Sequence, residues 1–173
     1  RVEVRPIEAV TTLTSYDAVV VGAPMIFGWH REARAFLKEH QEDLSSLPVA
    51  YFMVALSLTQ YDEDVYAGAR IYQDASLAKP PGNPDRLSFR ERFTSVANYV
   101  QPALVSAPEV TPVSIGFFNG TMDYSSLNLF ERVFVQVAFG AAEGDFRNWN
   151  SIQTSFPGVP RRARHGVGVA PRG

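Results

Sequence analysis

Little in this chain can do acid–base or nucleophilic chemistry by itself. There are three histidines, His30, His40 and His165, and no cysteine. The histidines stand at unrelated places, and no pair has metal-ligand spacing. Without cysteine there are no disulfides, thiol nucleophiles or cysteine-held metal and iron–sulfur centres. No serine sits in a G-x-S-x-G elbow, and no P-loop or G-x-G-x-x-G is present. Asn119-Gly120-Thr121 fits a glycosylation pattern but reads as a turn. What stands out instead is an apolar loop, Met25-Ile26-Phe27-Gly28-Trp29, between an apolar run and a helical pattern. A loop of rings and glycine without acid–base groups suits a flat aromatic cofactor, which brings its own redox chemistry and needs only to be oriented. The alternative is that these residues fill core or a dimer contact.

The elements around that loop follow from periodicity. Ala18-Val19-Val20-Val21 is short, β-branched and uninterrupted, as in a strand buried on both faces. Gly22-Ala23-Pro24 ends it. Arg31 to Leu44 reads as one helix, with Ala33, Phe36, Leu37, His40 and Leu44 near one face. Val49 to Leu56 reads as a second interior strand, and Ser57-Leu58-Thr59 leaves its end. Val113 to Phe118 is a third, followed by an Asn119-Gly120 turn. Val2 to Ile7 alternates with period two, as a half-exposed strand does. A strand–loop–helix order means an α/β domain, whose ligands lie beyond the carboxyl ends of the strands.

The remaining segments are less regular. Gln60 to Ser88, rich in proline, glycine and acid, reads as a long connection that covers a substrate or moves freely. Leu87 to Leu104 reads as a helix with Phe89, Phe93, Val96, Ala97 and Val100 on one side. Leu127 to Phe139 is apolar almost all round, with Glu131, Arg132 and Gln136 as its polar stripe. Asp145 is placed to cap a last helix, Phe146 to Phe156. The domain therefore runs over 1–156, and the arginine-bearing 157–173 reads as a disordered tail.

Composition excludes several classes. A 173-residue chain is long enough for one domain with a real core. Net charge is −2, which gives no field for nucleic acid. No apolar run approaches the roughly 20 residues of a membrane-spanning helix. The absence of cysteine fits a reducing compartment.

Two separated segments carry a resemblance. SYDAVVVGAPMIFGWHREARAFLKEH has a Y-D-hydrophobic-G strand leading into W-H-[KR]-E-A-x-x-F. GFFNGTMDYSSLNLFERVFVQVAFGAAEGDFRNW has a G-x-x-D-Y turn at Asp123 and Tyr124, an F-E-R helix and a G-D-[FY]-R-[DN]-W start. Together they resemble flavodoxin-like domains, in the menaquinone-dependent protoporphyrinogen oxidase branch. The resemblance implies a five-stranded open parallel sheet in the order 2-1-3-4-5 with helices on both faces. Val2 to Ile7 would be its second strand. The first strand, its phosphate loop and the first helix would lie before Arg1 and be missing here. It further implies an FMN-dependent oxidoreductase of heme biosynthesis, active with that front segment present. Such an enzyme oxidises a porphyrinogen, passes electrons to menaquinone, and is cytoplasmic at the inner face of the membrane. By this mapping the FMN ring contacts are Pro24, Met25, Ile26, Phe27, Gly28 and Trp29 on one loop. Leu56, Ser57, Leu58 and Thr59 supply the other, with backbone groups foremost. No catalytic side chain is assigned. The rival readings are a general electron-transfer or quinone reductase protein, and a non-catalytic α/β domain that pairs with a partner or with itself.

Overall fold

The structure is a computed structural model, and it describes residues 2–25, 28–122 and 144–154. Its centre is three parallel strands: β1 (Val19–Pro24), β2 (Val49–Val54) and β7 (Ser114–Phe118). These are the three apolar runs. Between β2 and β7 in the chain come β3 (Leu58–Thr59), β4 (Val65–Tyr66), β5 (Ala69–Gln73) and β6 (Ala78–Lys79); β8 (Thr121–Met122) and β9 (Gly144–Asp145) follow β7. The helices are α1 (Arg31–Glu39), α2 (Gln41–Ser45), α3 (Phe89–Phe93), α4 (Val96–Ser106) and α5 (Trp149–Thr154). The main sheet has the order β1-β2-β7-β5-β4, with only β4 antiparallel. This is an α/β fold dominated by parallel pairing, consistent with a flavodoxin-like architecture.

Register sorts the side chains. Val21, Tyr51 and Ile115 are aligned across the sheet, as are Ala23, Met53 and Phe117. All six are buried, and with Ala33, Phe36 and Leu37 of α1 and Val96 and Val100 of α4 they make the core. The other face holds Val20, Gly22, Phe52 and Val54. There the Phe52 ring lies where a Cβ on Gly22 would stand, at 1.9 Å. Only glycine at 22 lets the ring settle on the strand.

Several expectations are corrected. Val2–Pro6 forms no strand, and Ile7–Ala9 is a single 3₁₀ turn. Alternation cannot make a strand without a ladder partner, and this segment has none among the described residues. β1 is not buried on both faces, because Val20 is 42% exposed at the sheet edge. The helix expected over Arg31–Leu44 breaks at His40, whose φ of −101° and ψ of 19° separate α1 from α2. The helix expected over Leu87–Leu104 is two. Ser88 caps α3 in a reciprocal box with Glu91, and Ser95 caps α4 through the Asn98 N–H. Phe89 points to solvent instead of the core.

The largest correction concerns Gln60 to Ser88. It is built into the sheet: β5 runs parallel to β7, and Ala69, Ile71 and Leu77 are buried. Ala67 and Gly68, both at positive φ, turn β4 into β5. At the far end Asp145 does not cap a helix; Asn148 caps α5 by accepting from the Ser151 N–H at 3.2 Å. The readings placed on Ile26, Phe27, Asp123, Tyr124, the Leu127–Phe139 helix and the 157–173 tail lie outside the described residues.

Candidate functional site at the carboxyl end of the sheet

β1 and β2 end side by side, and the two expected loops leave from adjacent points. The Met25 N–H donates to the Val54 carbonyl at 2.8 Å, so the first loop starts against the tip of β2. Met25 pairs with Trp29 in an isolated antiparallel bridge. Gly28 has φ +115°, a conformation that favours glycine, and among the described residues nothing stands within 4 Å of where a Cβ would point. Gly28 therefore offers open backbone among the described residues. From β2, Ala55 bonds to the Phe118 carbonyl, and Leu56 emerges 37% exposed.

Of the ten expected contact residues, the eight that lie among the described residues separate into two groups. Pro24 and Leu56 are exposed, and Met25, Gly28 and Ser57 are half-buried around the same strand ends. Trp29, Leu58 and Thr59 turn their side chains inward. Trp29 is 2% exposed, with its ring centroid 5.2 Å from that of Tyr51. Leu58 is buried, and Thr59 donates its hydroxyl to the Glu91 carbonyl at 2.8 Å. These three anchor the loops; any contact they make with a ring must come from backbone.

Electrostatics are mild at this end. The Ser57 carbonyl accepts from the Tyr99 hydroxyl at 2.9 Å, and burial pushes that phenol up to about 12. Burial raises the Tyr51 phenol further. Among the described residues neither Tyr51 Oη nor Trp29 Nε1 has a hydrogen-bond partner. Among the described residues no three His, Cys, Asp or Glu side chains gather to hold a metal. The surroundings suit an uncharged ring system better than a metal or a charged substrate.

Sequence reasoning missed a polar cluster beside this site. Asp74 follows β5 and is fully buried. Its Oδ1 accepts from the Ser76 N–H at 2.9 Å, the Ser76 hydroxyl at 2.8 Å and the Asn148 amide at 3.4 Å. Ser76 Oγ in turn accepts from the Asn119 amide at 2.8 Å. The cluster ties the inserted strand, the β7 turn and the start of α5 together. Its only sequence signal was the Asp-x-Ser turn pattern. A shallow depression of about 220 Å³ lined by Leu13, Tyr16 and Leu47 lies at the opposite end of the sheet, away from these loops.

The fold and this loop arrangement agree with what comparison finds. The flavodoxin domain family model matches residues 1–148, and the chain belongs to that family. A curated relative, the protoporphyrinogen IX dehydrogenase (quinone) of Leishmania major, is 23% identical over 153 residues. That match covers 87% of this chain and 54% of the relative, so the chain spans about half of the relative's length. No solved structure matches the chain. Membership and the distant relative together support a flavin-type oxidoreductase at the level of the family. Among the described residues no helix is long and apolar enough to cross a membrane.

The residues present fit the ring end of a flavin: open glycine backbone, two exposed apolar side chains and adjoining strand tips. A glycine-rich phosphate cradle is absent from the sequence.

Proposed function

We propose that the chain is the ring-binding part of an FMN-dependent oxidoreductase that acts on a porphyrinogen and delivers electrons to a quinone. The observation that carries this is the meeting of Pro24–Met25 with the chain that leaves β2 at Leu56–Ser57, at the tips of β1 and β2, in a member of the flavodoxin domain family. Pro24, Met25 and Leu56 are the apolar rim, and Gly28 gives backbone access. Trp29, Leu58 and Thr59 hold the loops still from beneath. A bound flavin would supply the two-electron chemistry. The chain's own residues position the ring and exclude water from one side of it. The named activity of the relative suggests porphyrinogen as donor and quinone as acceptor, and through them heme biosynthesis. Menaquinone and a cytoplasmic membrane face are the finer form of the same proposal.

FMN titration tests the ring site. Flavin fluorescence should be quenched on binding, and Leu56→Asp should weaken the affinity roughly tenfold by putting charge against an apolar ring. Unquenched flavin at high protein concentration rules the reading out. Oxidation of porphyrinogen compared with reduction of simple quinones then separates the proposed substrate from a general electron-transfer role.

A further inference from the structure

The helix α3 carries a surface that the flavin reading does not use. Phe89 is 79% exposed, and its ring stacks with that of Phe93 at 6.5 Å and 21°. Arg86, Arg90 and Arg92 surround the pair, all exposed. Lys79 is exposed on the segment that Gly82 fastens to α3 through Glu91. The ion pairs among the described residues are Arg5–Glu3, His30–Glu32 and Arg147–Asp145, so these four cations have no such partner there. Of the two nearby acids, Glu91 is turned back: its Oε1 accepts from Gly82 and its Oε2 from the Ser88 N–H at 2.6 Å. Asp85 is the other. The result is an aromatic tip in a cationic collar, on a chain whose net charge is −2.

We propose that this tip docks on an anionic lipid surface. Two rings are far too small for a stable protein contact, which needs about 800 Å² from each partner. They suit an interfacial contact, in which a ring enters the headgroup region and arginines meet lipid phosphates. The docking also has a direction. Thr59 bonds to Thr94 by its N–H at 2.9 Å and to Glu91 by its hydroxyl, so α3 is hooked to the chain just beyond Leu56 and Ser57. A protein seated on Phe89 presents the β2 side of the candidate site to the lipid, from which an apolar ligand can arrive. That consequence rests on the flavin reading; the docking itself does not.

The test uses the full chain without cofactor, in co-sedimentation with phosphatidylcholine vesicles with and without about a third phosphatidylglycerol. The region 157–173 has four arginines of its own, so wild-type binding alone is insufficient. Phe89→Ser and Arg90→Glu separate the two regions, and both positions are exposed enough for the fold to survive. The expected result is binding to the anionic vesicles only, weakened by added salt and by roughly tenfold in each variant. Binding unchanged in both variants overturns the proposal, as does absence of wild-type binding. A concentration-dependent dimer that Phe89→Ser abolishes overturns it too, by making the tip a self-contact. Flavin binding plays no part in these readouts, so the docking and the flavin site can fail separately.

Discussion

The two margins of the sheet are held in different ways. At β1 the strand is apolar, has no ladder partner on its outer side among the described residues, and is secured by packing: Val21 and Ala23 beneath, Phe52 across Gly22, Trp29 against Tyr51. Toward the other margin, at β5, which only the two-residue β4 flanks on its outer side among the described residues, the attachment is polar. The Gln73 side chain clasps the Tyr61 backbone twice, taking its N–H at 2.9 Å and giving to its carbonyl at 2.6 Å. Asp74 then joins two further segments, the start of α5 directly and the β7 turn through Ser76. An apolar margin can leave its loop tip free for a ring, because the anchoring lies underneath. A polar margin uses its donors and acceptors on itself and has fewer to offer a ligand.

That contrast predicts where substitutions hurt. Trp29→Ala should cost about 3–5 kcal/mol in a denaturant melt, as for a large ring removed from a core. A value near zero would mean that the ring is not packed as described. Gly22→Ala should cost about 1–3 kcal/mol by displacing the Phe52 ring. Asp74→Ala should cost a similar 1–3 kcal/mol, with faster hydrogen exchange at Ser76, since its N–H then loses its buried acceptor. Gln73→Ala should cost about 1–2 kcal/mol and loosen Tyr61 while leaving the β1 loop unchanged. If exchange rises at both margins, they are coupled and the contrast fails.

The smallest effect concerns pH. The carboxyl of Asp145 is held down to about 2, first by the Arg147 guanidinium and then by the Arg147 N–H. A depressed carboxylate contributes stability above its unfolded value of 3.8, and loses it as pH falls toward about 2. The carboxyl chemical shift should titrate in that window, while Arg147→Ala should raise its midpoint toward the ordinary range without reaching it, because the backbone N–H at 147 remains. The site is exposed, so global stability should hardly register the change.

Much of the apolar margin was legible in the sequence. β1, β2 and β7 are uninterrupted apolar runs, and the loop after β1 announced itself by glycine and rings. Its inner and outer members were not legible, because Trp29 and Met25 differ by burial and not by type. Similarly, Leu58 and Thr59 read as loop yet pair with β6. The polar margin was missed because β5 reads Ala-Arg-Ile-Tyr-Gln, too short and mixed to stand out, and its hold comes from side chains that no periodicity reports. The breaks at His40 and at Thr94–Ser95 are local caps inside continuous helical patterns, which periodicity likewise passes over.

Hydrogen exchange of the full chain with and without FMN tests the central claim most directly. Protection should appear at Met25 to Trp29 and Leu56 to Ser57, with little change at Tyr61 to Gln73. Protection confined to the Asp74 margin, or none at the β1 and β2 tips while flavin is bound, would contradict it.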